Sequence, residues 1–318
     1  MRIMTENRYL PEGMLIGNSE NRDYLSGVSG LERAMASGRI LESTAVLCDG
    51  HLNLTVDLGG NIQGIMKREE VVYNSNGESP KDIAIISRVG KPICFKVLAI
   101  EKEENGETVA ILSRRMAQIE CIRSYLMDLE SGDIIPAKIT HLEHFGAFVD
   151  IGCGIPSLLS IDCISVSRIS HPKDRFYVGM PIKAVVKSID YENCRIYVTH
   201  KELLGTWEEN ASHFCVGQTV MGIVRSVEEY GIFIELSPNL AGLAEYREGI
   251  TIGQTVAVYI KNIIPERMKI KLVIIDLCKS ENSSSKLEYF VSSDSGHMDY
   301  WRYSPVGTSK IIESKFSS

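Results

Sequence analysis

Three stretches of the chain align with one another without a gap: VGKPICFKVLAI (89–100), VGMPIKAVVKSI (178–189) and IGQTVAVYIKNI (252–263). Each has an aliphatic residue, a glycine, two variable positions, and then alternating apolar positions that end in isoleucine. A longer match joins GDIIPAKITHLEHFGAFVDI (132–151) to GQTVMGIVRSVEEYGIFIEL (217–236) over twenty positions at one offset. In it Phe145 falls on Tyr230, Gly146 on Gly231 and Phe148 on Phe233. Internal repeats at this spacing settle the architecture before any single element does: the chain builds one small unit several times.

Each unit reads as about five short strands between turn signals. In the middle copy these are 134–142, 147–152, 156–160, 181–189 and 194–199. Five strands in about 70–75 residues, with no amphipathic helix long enough to cover a sheet, predict a small closed barrel. The five-stranded barrel that binds oligonucleotides is the OB-fold. The fold class expected is therefore mostly β: three tandem five-stranded OB-fold barrels joined by short linker helices. Segments 113–129 and 200–214 have helical spacing and good helix formers, and are read as the linkers.

The expected divisions are an N-terminal arm (1–38), a first barrel (39–118), a linker helix with the second barrel (119–205), a linker helix with the third (206–278), and a C-terminal linker and aromatic tail (279–318). Residues 1–30 read as irregular, and GLERAMASG (30–38) as one short helix ending at Gly38. KSENSSSK (279–286) reads as a flexible polar linker. Tyr300, Trp301 and Tyr303, with Arg302 among them, read as an RNA-stacking set or as a cap on the third barrel. The cap is favoured because Trp and Tyr bury large areas well.

The candidate site lies in GDIIPAKITHLEHFGAFVDIGCGI (132–155). Phe148 and Asp150 fall on one face of the strand, and Ala147, Val149 and Ile151 on the other. The second set reads as core and the first as exposed surface. In a regular strand Phe145 and Phe148 would face opposite ways. A bend at Gly146 can bring both to one side as two coplanar rings, a platform for unpaired bases. Rings in strands are usually core, but Tyr230 and Phe233 keep ring character at the same places, which favours stacking.

The loop SVSRISHPKDRFYVG (165–179) sets Arg168, His171, Lys173 and Arg175 around Phe176 and Tyr177. It reads equally as the wall of a nucleic-acid groove and as a solvated loop anchored by its rings. Lys187 and Lys261 share one position of the repeat, where a groove cation and a solvated strand face are both reasonable readings.

Composition excludes several classes. The formal charge of −7 argues against a nonspecific coater of duplex DNA. The middle repeat (132–205) is balanced, with eight Lys/Arg and eight Asp/Glu, against six and nine in 206–278. No run of eighteen apolar residues implies a membrane span, and the N-terminus lacks a signal-peptide stretch. The eight cysteines form no CxxC pair and read as reduced, buried residues of a cytoplasmic protein. His141 and His144 lack a third ligand nearby, and Cys153 and Cys163 lack a zinc pattern, so no metal is expected. There is no phosphate-cradling glycine loop, nucleophile elbow or zinc helix motif. No enzymatic activity, cofactor or small-molecule substrate is expected.

GDIIPAKITHLEHFGAFVDIGCGIPSLLSI and VGMPIKAVVKSIDYENCRIYVTHKELLGTW resemble the RNA-binding module of the bacterial ribosomal protein S1 family. They show its early glycine, its aromatic-Gly-Ala-Phe-Val turn, its leucine-rich third strand and its VG before the fourth. The resemblance covers roughly residues 40–278, and arm, three barrels and tail together look like the short three-domain forms in clostridia-type bacteria. It implies an RNA face of Phe145, Phe148, Asp190 and Arg195 in the middle repeat, with Ser160 where the family has a histidine. In the third repeat it implies Tyr230, Phe233 and Lys269, with Glu245 at the histidine position. The first repeat has Leu52 and Thr55 at the aromatic positions and Lys67 at the histidine position, so it reads as facing protein. The implied function is binding of single-stranded messenger RNA in translation, with small-subunit ribosomal proteins as partners. A non-ribosomal regulator of messenger stability or stress response, and a protein-interaction scaffold without RNA binding, are the alternatives.

Overall fold

The computed structural model describes residues 8–316 apart from 61, 75, 76, 78, 103–105, 194, 279–286, 293 and 294. The expected polar linker at 279–286 and Cys194 lie outside the described residues. Each repeat closes into a five-stranded barrel. The first is built from β1 (Leu41–Cys48), β2 (Leu54–Asp57), β3 (Ile62–Met66), β4 (Pro92–Lys102) and β5 (Thr108–Ser113). The second holds β6 (Ile134–Glu143), β7 (Gly146–Asp150), β8 (Pro156–Ser160), β9 (Pro181–Asp190) and β10 (Arg195–Thr199). The third holds β11 (Thr219–Glu228), β12 (Gly231–Ser237), β13 (Leu240–Ala244), β14 (Thr255–Ile264) and β15 (Lys269–Leu277).

All three barrels share one topology. The first three strands pair in sequence, the fifth lies parallel to the third, and the fourth closes the barrel between the fifth and the first. Apolar alternation drives closure, as in β14, where Val256, Val258 and Ile260 are buried between more exposed neighbours. The first strand carries a bulge at the same place in the outer barrels, between Ala45 and Leu47 and between Val224 and Ser226. Opposite it sit Thr55 and Phe233, so the register itself equates those two positions.

The chain forms two compact units. One comprises residues 1–129 with 136–138 and 150–156. In it α1 (Ser19–Leu25) and α2 (Val28–Ser37) pack with the first barrel, and Leu31 and Ala34 of α2 enter its core. α2 stops where Gly38 takes a left-handed conformation (φ 64°). The arm is thus not irregular to residue 30: Asn18 caps α1 through the Glu20 N–H. α3 (Asp82–Ile86) precedes β4, and α4 (Arg114–Ser124) fills most of the first expected linker, with Ser113 as its N-cap. Arg114 is buried and forks onto Glu12 of the arm, Nε at 2.6 Å and Nη2 at 2.9 Å.

The other unit comprises 130–135, 139–149 and 157–318. The single helix expected over 200–214 is broken. A 3-10 turn (Lys201–Leu204) ends at Gly205 (φ 80°), and α5 (Trp207–Ala211) restarts under a Thr206/Glu209 capping box. The tail forms a two-stranded ribbon, β16 (Tyr300–Arg302) with β17 (Glu313–Lys315). Trp301 and Tyr303 join the core cluster of the third barrel, and the Tyr303 hydroxyl donates to the Asn239 carbonyl. Each buried ring contributes about 2 kcal/mol, so the cap reading holds for these two, while Tyr300 stays exposed. Phe316 packs on Ile134, Val185 and Leu203 of the middle barrel.

Candidate nucleic-acid interface

The ring pair of the middle barrel stands at the β6–β7 turn. Phe145 is 55% exposed and Phe148 half-buried, with centroids 6.1 Å apart. Their planes meet at 90°, edge to face rather than coplanar, the arrangement that aromatic quadrupoles favour over a flat sandwich. The third barrel repeats it: Tyr230 is 71% exposed, and lies 6.1 Å from Phe233 at 86°. The glycine between each pair is required by close approach. A Cβ on Gly146 would sit 2.4 Å from the Leu159 carbonyl oxygen, and one on Gly231 would sit 2.5 Å from that of Ala244.

The ladders place each barrel's outer-face residues in rows. In the third, Phe233 pairs with Leu243, and Leu243 with Lys271. In the middle, Leu158 pairs with Tyr197 on the corresponding strands. In the first the row is Thr55, Ile65 and Ile111, without a ring. Glu245 follows Ala244 at the upper end of the row in the third barrel and is exposed, whereas Ser160 stands at that end in the middle barrel, half-buried. Ser160 bonds to Asp162, which holds that carboxyl below the usual aspartate range. At the lower end Arg195 is exposed and directly opposite Asp190. Asp190 is held ionised by its bonds from the Asn193 side chain and N–H (2.8 and 3.0 Å). Lys269 is exposed opposite Ile264, so the third barrel keeps the cation and lacks the aspartate.

The basic loop divides. His171 reaches the turn, where its ring meets His144 edge-on at 4.6 Å. Its Nδ1 accepts the Lys173 N–H (3.1 Å), so Nε2 carries the ring proton. Lys173 is exposed. Arg175, expected to line a groove, is instead buried against Glu235 of β12 and unavailable to phosphate. Phe176 is buried, edge-on to His200 at 5.2 Å, and Tyr177 is exposed. Lys187 is exposed but donates to Cys163 Sγ (3.2 Å), a bond that raises its pKa. Lys261 is exposed on β14.

Asp150 also departs from expectation. It is not on the exposed face beside Phe148 but buried, accepting the N–H groups of Glu12 (2.7 Å), Gly152 (2.8 Å) and Gly154 (3.0 Å). Sequence reasoning did not place three residues on this surface. His144 precedes Phe145 and extends the ring surface, with His141 also 6.4 Å from Phe148. Lys271 shares the row of Phe233, and its alternation with Lys269 in KIKL was the available signal. Among the described residues no group of three or more His, Cys, Asp or Glu is placed to hold a metal. Nor is any described helix long and apolar enough to cross a membrane.

The S1 RNA binding domain model matches residues 128–201, the middle barrel with its ring pair. A small ribosomal subunit protein bS1 homolog of Bacillus cereus is 26% identical over 295 residues, covering 89% of this chain and 72% of its own. That of Bacillus subtilis is 30% identical over 204 residues, covering 59% of this chain and 52% of its own. The chain is similar to bacterial ribosomal protein S1 over most of its length, and its middle barrel matches the S1 RNA binding domain. It spans only 40% of the bS1 of Chlamydia muridarum, to which it is 26% identical. A multidomain protein with nucleic acid binding domains from Streptococcus pneumoniae overlaps 75% of this chain and 73% of its own. That overlap is at 14% identity and a TM-score of 0.25, too low to bear on function. In S1 terms, the second barrel carries the domain signature, the third keeps its ring pair, and the first keeps the barrel without the rings.

Proposed function

We propose that this S1-like chain binds single-stranded RNA without catalysis, chiefly through Phe145 and Phe148, and helps hold messenger RNA at the small ribosomal subunit. The observation that carries this reading is the exposed edge-to-face ring pair beside a glycine that tolerates no side chain. Exposed rings have no packing reason to recur, and stacking on bases is worth about 1–3 kcal/mol per base. His144, His171 and Arg195 border the same surface. Stacking accepts any base, so the expected selectivity is for unpaired over duplex RNA rather than for a sequence. Tyr230, Phe233 and Lys269 form a weaker second contact, and tethering in one chain makes the pair tighter than either alone.

The test is titration of a labelled single-stranded RNA with the full chain and with Phe145→Ala/Phe148→Ala, at two salt concentrations. The reading expects the double variant to lose about 2 kcal/mol or more, with salt weakening both proteins in parallel. Equal binding by the variant would leave the rings a structural feature and favour a protein-interaction scaffold. Co-sedimentation with ribosomal subunits then separates a translation role from that of a free regulator of messenger RNA.

A further inference from the structure

One outer patch recurs in all three barrels, where the first and fourth strands run side by side with the fifth strand flanking the fourth. In the first barrel it holds Glu42, Cys94, Lys96 and Ser113, with Glu42 paired to Cys94 and Lys96 to Ser113. There it is covered. The Glu42 carboxylate accepts the N–H groups of Leu15 and Ile16 (both 2.8 Å), Glu12 accepts that of Cys94 (3.0 Å), and Lys96 pairs with Glu120 of α4. In the middle barrel the patch is Ile134, Val185 and Thr199, all buried, with Leu203 and Phe316 packed on Ile134 and Val185.

In the third barrel the described residues leave the same patch largely exposed, with Cys278 Sγ against Met221 Sδ (3.5 Å) at its edge. Thr219, Tyr259 and Val273 form one row, and Met221 and Ala257 lie in the next. The equivalence is fixed by the ungapped repeats, which put Lys96, Val185 and Tyr259 at one position and Ile134 and Thr219 at another. Tyr259 is 38%, Val273 42% and Met221 47% exposed, and the exposed Ile275 follows at the bulge of β15. A solvated strand face would carry Thr, Lys or Glu here. An exposed apolar strip edged by charge is an interaction surface.

The charges select the occupant. Lys271 and Asp276, both exposed, lie at the two ends of the Val273–Ile275 stretch, and the pairing of Asp276 with Ala257 sets it on the outer face. A strip with a cation at one end and an anion at the other is complementary to itself. With two β15 strands antiparallel across a two-fold axis, each Lys271 meets the Asp276 of the other copy. We infer that this face is a homodimer contact. A second copy of the chain covers on the third barrel what the arm and α4 cover on the first and the tail covers on the second. The strip is small beside a standard interface of about 800 Å² per partner, so the dimer forms at micromolar concentration.

The test is sedimentation velocity of the nuclease-treated full chain from about 1 to about 100 µM. The expected result is a shift from one-chain to two-chain mass over that range. Tyr259→Glu should weaken association at least tenfold, with an unchanged melting curve because the side chain is exposed in the single chain. Lys271→Glu should weaken it too, and Lys271→Glu/Asp276→Lys should restore it. That swap keeps the test decisive even where Tyr259→Glu perturbs folding. A chain of one-copy mass throughout overturns the inference, as does a dimer unmoved by Tyr259→Glu in a folded variant, or a charge swap that restores nothing.

Discussion

Arg175 Nη2 lies 2.5 Å from Glu235 Oε2, joining a loop of the middle barrel to the second strand of the third. Arg225 closes on the same carboxylate through Nε (2.7 Å) and Nη2 (3.2 Å), and its Nη1 is 3.4 Å from Asp174. Arg175 also reaches Ser165 Oγ (3.4 Å) and the Pro238 carbonyl (3.5 Å). Burial pulls the Arg175 guanidinium down from its ordinary pKa, and the Glu235 carboxylate opposes that shift. The loop is therefore a strut between two barrels, carrying His171 at its outer edge.

Removing one partner of a buried ion pair leaves the other unpaid for in hydrogen bonds. Arg175→Met leaves Glu235 with Arg225 alone, and should lower the unfolding free energy of the two C-terminal barrels by about 3 kcal/mol. The measurement is the guanidinium midpoint followed by circular dichroism. RNA affinity of the folded variant should change little, because the residue touches neither ring.

The third barrel offers a charge test of the RNA reading. Tyr230 and Phe233 match the geometry of Phe145 and Phe148, yet Glu229 stands where the middle repeat has His144, and Glu245 where it has Ser160. Both glutamates are exposed and repel phosphate. Glu229→Lys/Glu245→Lys should raise affinity for single-stranded RNA roughly tenfold at low salt. The dependence of log affinity on log salt should steepen by about 0.7 for each new phosphate contact. A salt titration by fluorescence anisotropy reads both, and an unchanged slope would place the third ring pair away from RNA.

The fold was legible because the repeat reads it three times. The strand set proposed for the middle copy differs from the observed one by at most two residues at any end. The ring positions were legible for the same reason, since two unrelated accidents would not place aromatics beside glycine at one offset. What escaped depends on distance or on the end of a pattern. Arg175 finds Glu235 sixty residues away in another repeat, and no local pattern in a basic loop announces that. Asp150 obeys period-two alternation up to the last residue of β7, where the chain turns and backbone N–H groups gather round its carboxylate. The orientation of the rings is a side-chain torsion, which residue order does not encode. α1 has seven residues, too few to display a helical period.

Asp150 gives a pH prediction. Burial, with the Glu12 charge adding to it, pushes its carboxyl up to about 7, against its backbone donors and Arg114. The folded chain thus holds this proton more tightly than the unfolded chain. The contribution to stability is full below the ordinary aspartate value of 3.8, and is lost as pH rises through about 7. Asp150→Asn abolishes that slope. The difference in urea midpoint between native chain and variant should therefore move in favour of the variant from pH 5 to pH 8. Glu12 titrates in the opposite sense, because Arg114 outweighs the effect of burial and holds it below the glutamate range. Because the Glu12 charge acts on Asp150, Asp150 acts equally on Glu12, and the difference between the two proteins reads Asp150 together with that mutual repulsion.

His297 ties the tail to the start of the middle barrel. Its Nδ1 is 2.7 Å from Asp133 Oδ1, its Nε2 is 3.3 Å from Asp299 Oδ1, and the two backbones form a bridge between Asp133 and His297. The Asp133 hydrogen bond, opposed by partial burial and helped by both carboxylate charges, raises its pKa above the ordinary histidine value. A raised folded pKa means that this stabilisation is complete below about 6.5 and fades as pH climbs through the folded value. The site is partly solvated, so the pair is worth about 0.5 kcal/mol, or roughly a twofold change in local opening. Hydrogen exchange of the 298–303 amides, corrected for the intrinsic pH dependence, should show protection falling about twofold from pH 6 to pH 9 in the native chain. His297→Ala should show the lower protection at both pH values. A variant that still loses protection with rising pH would assign the effect to another group.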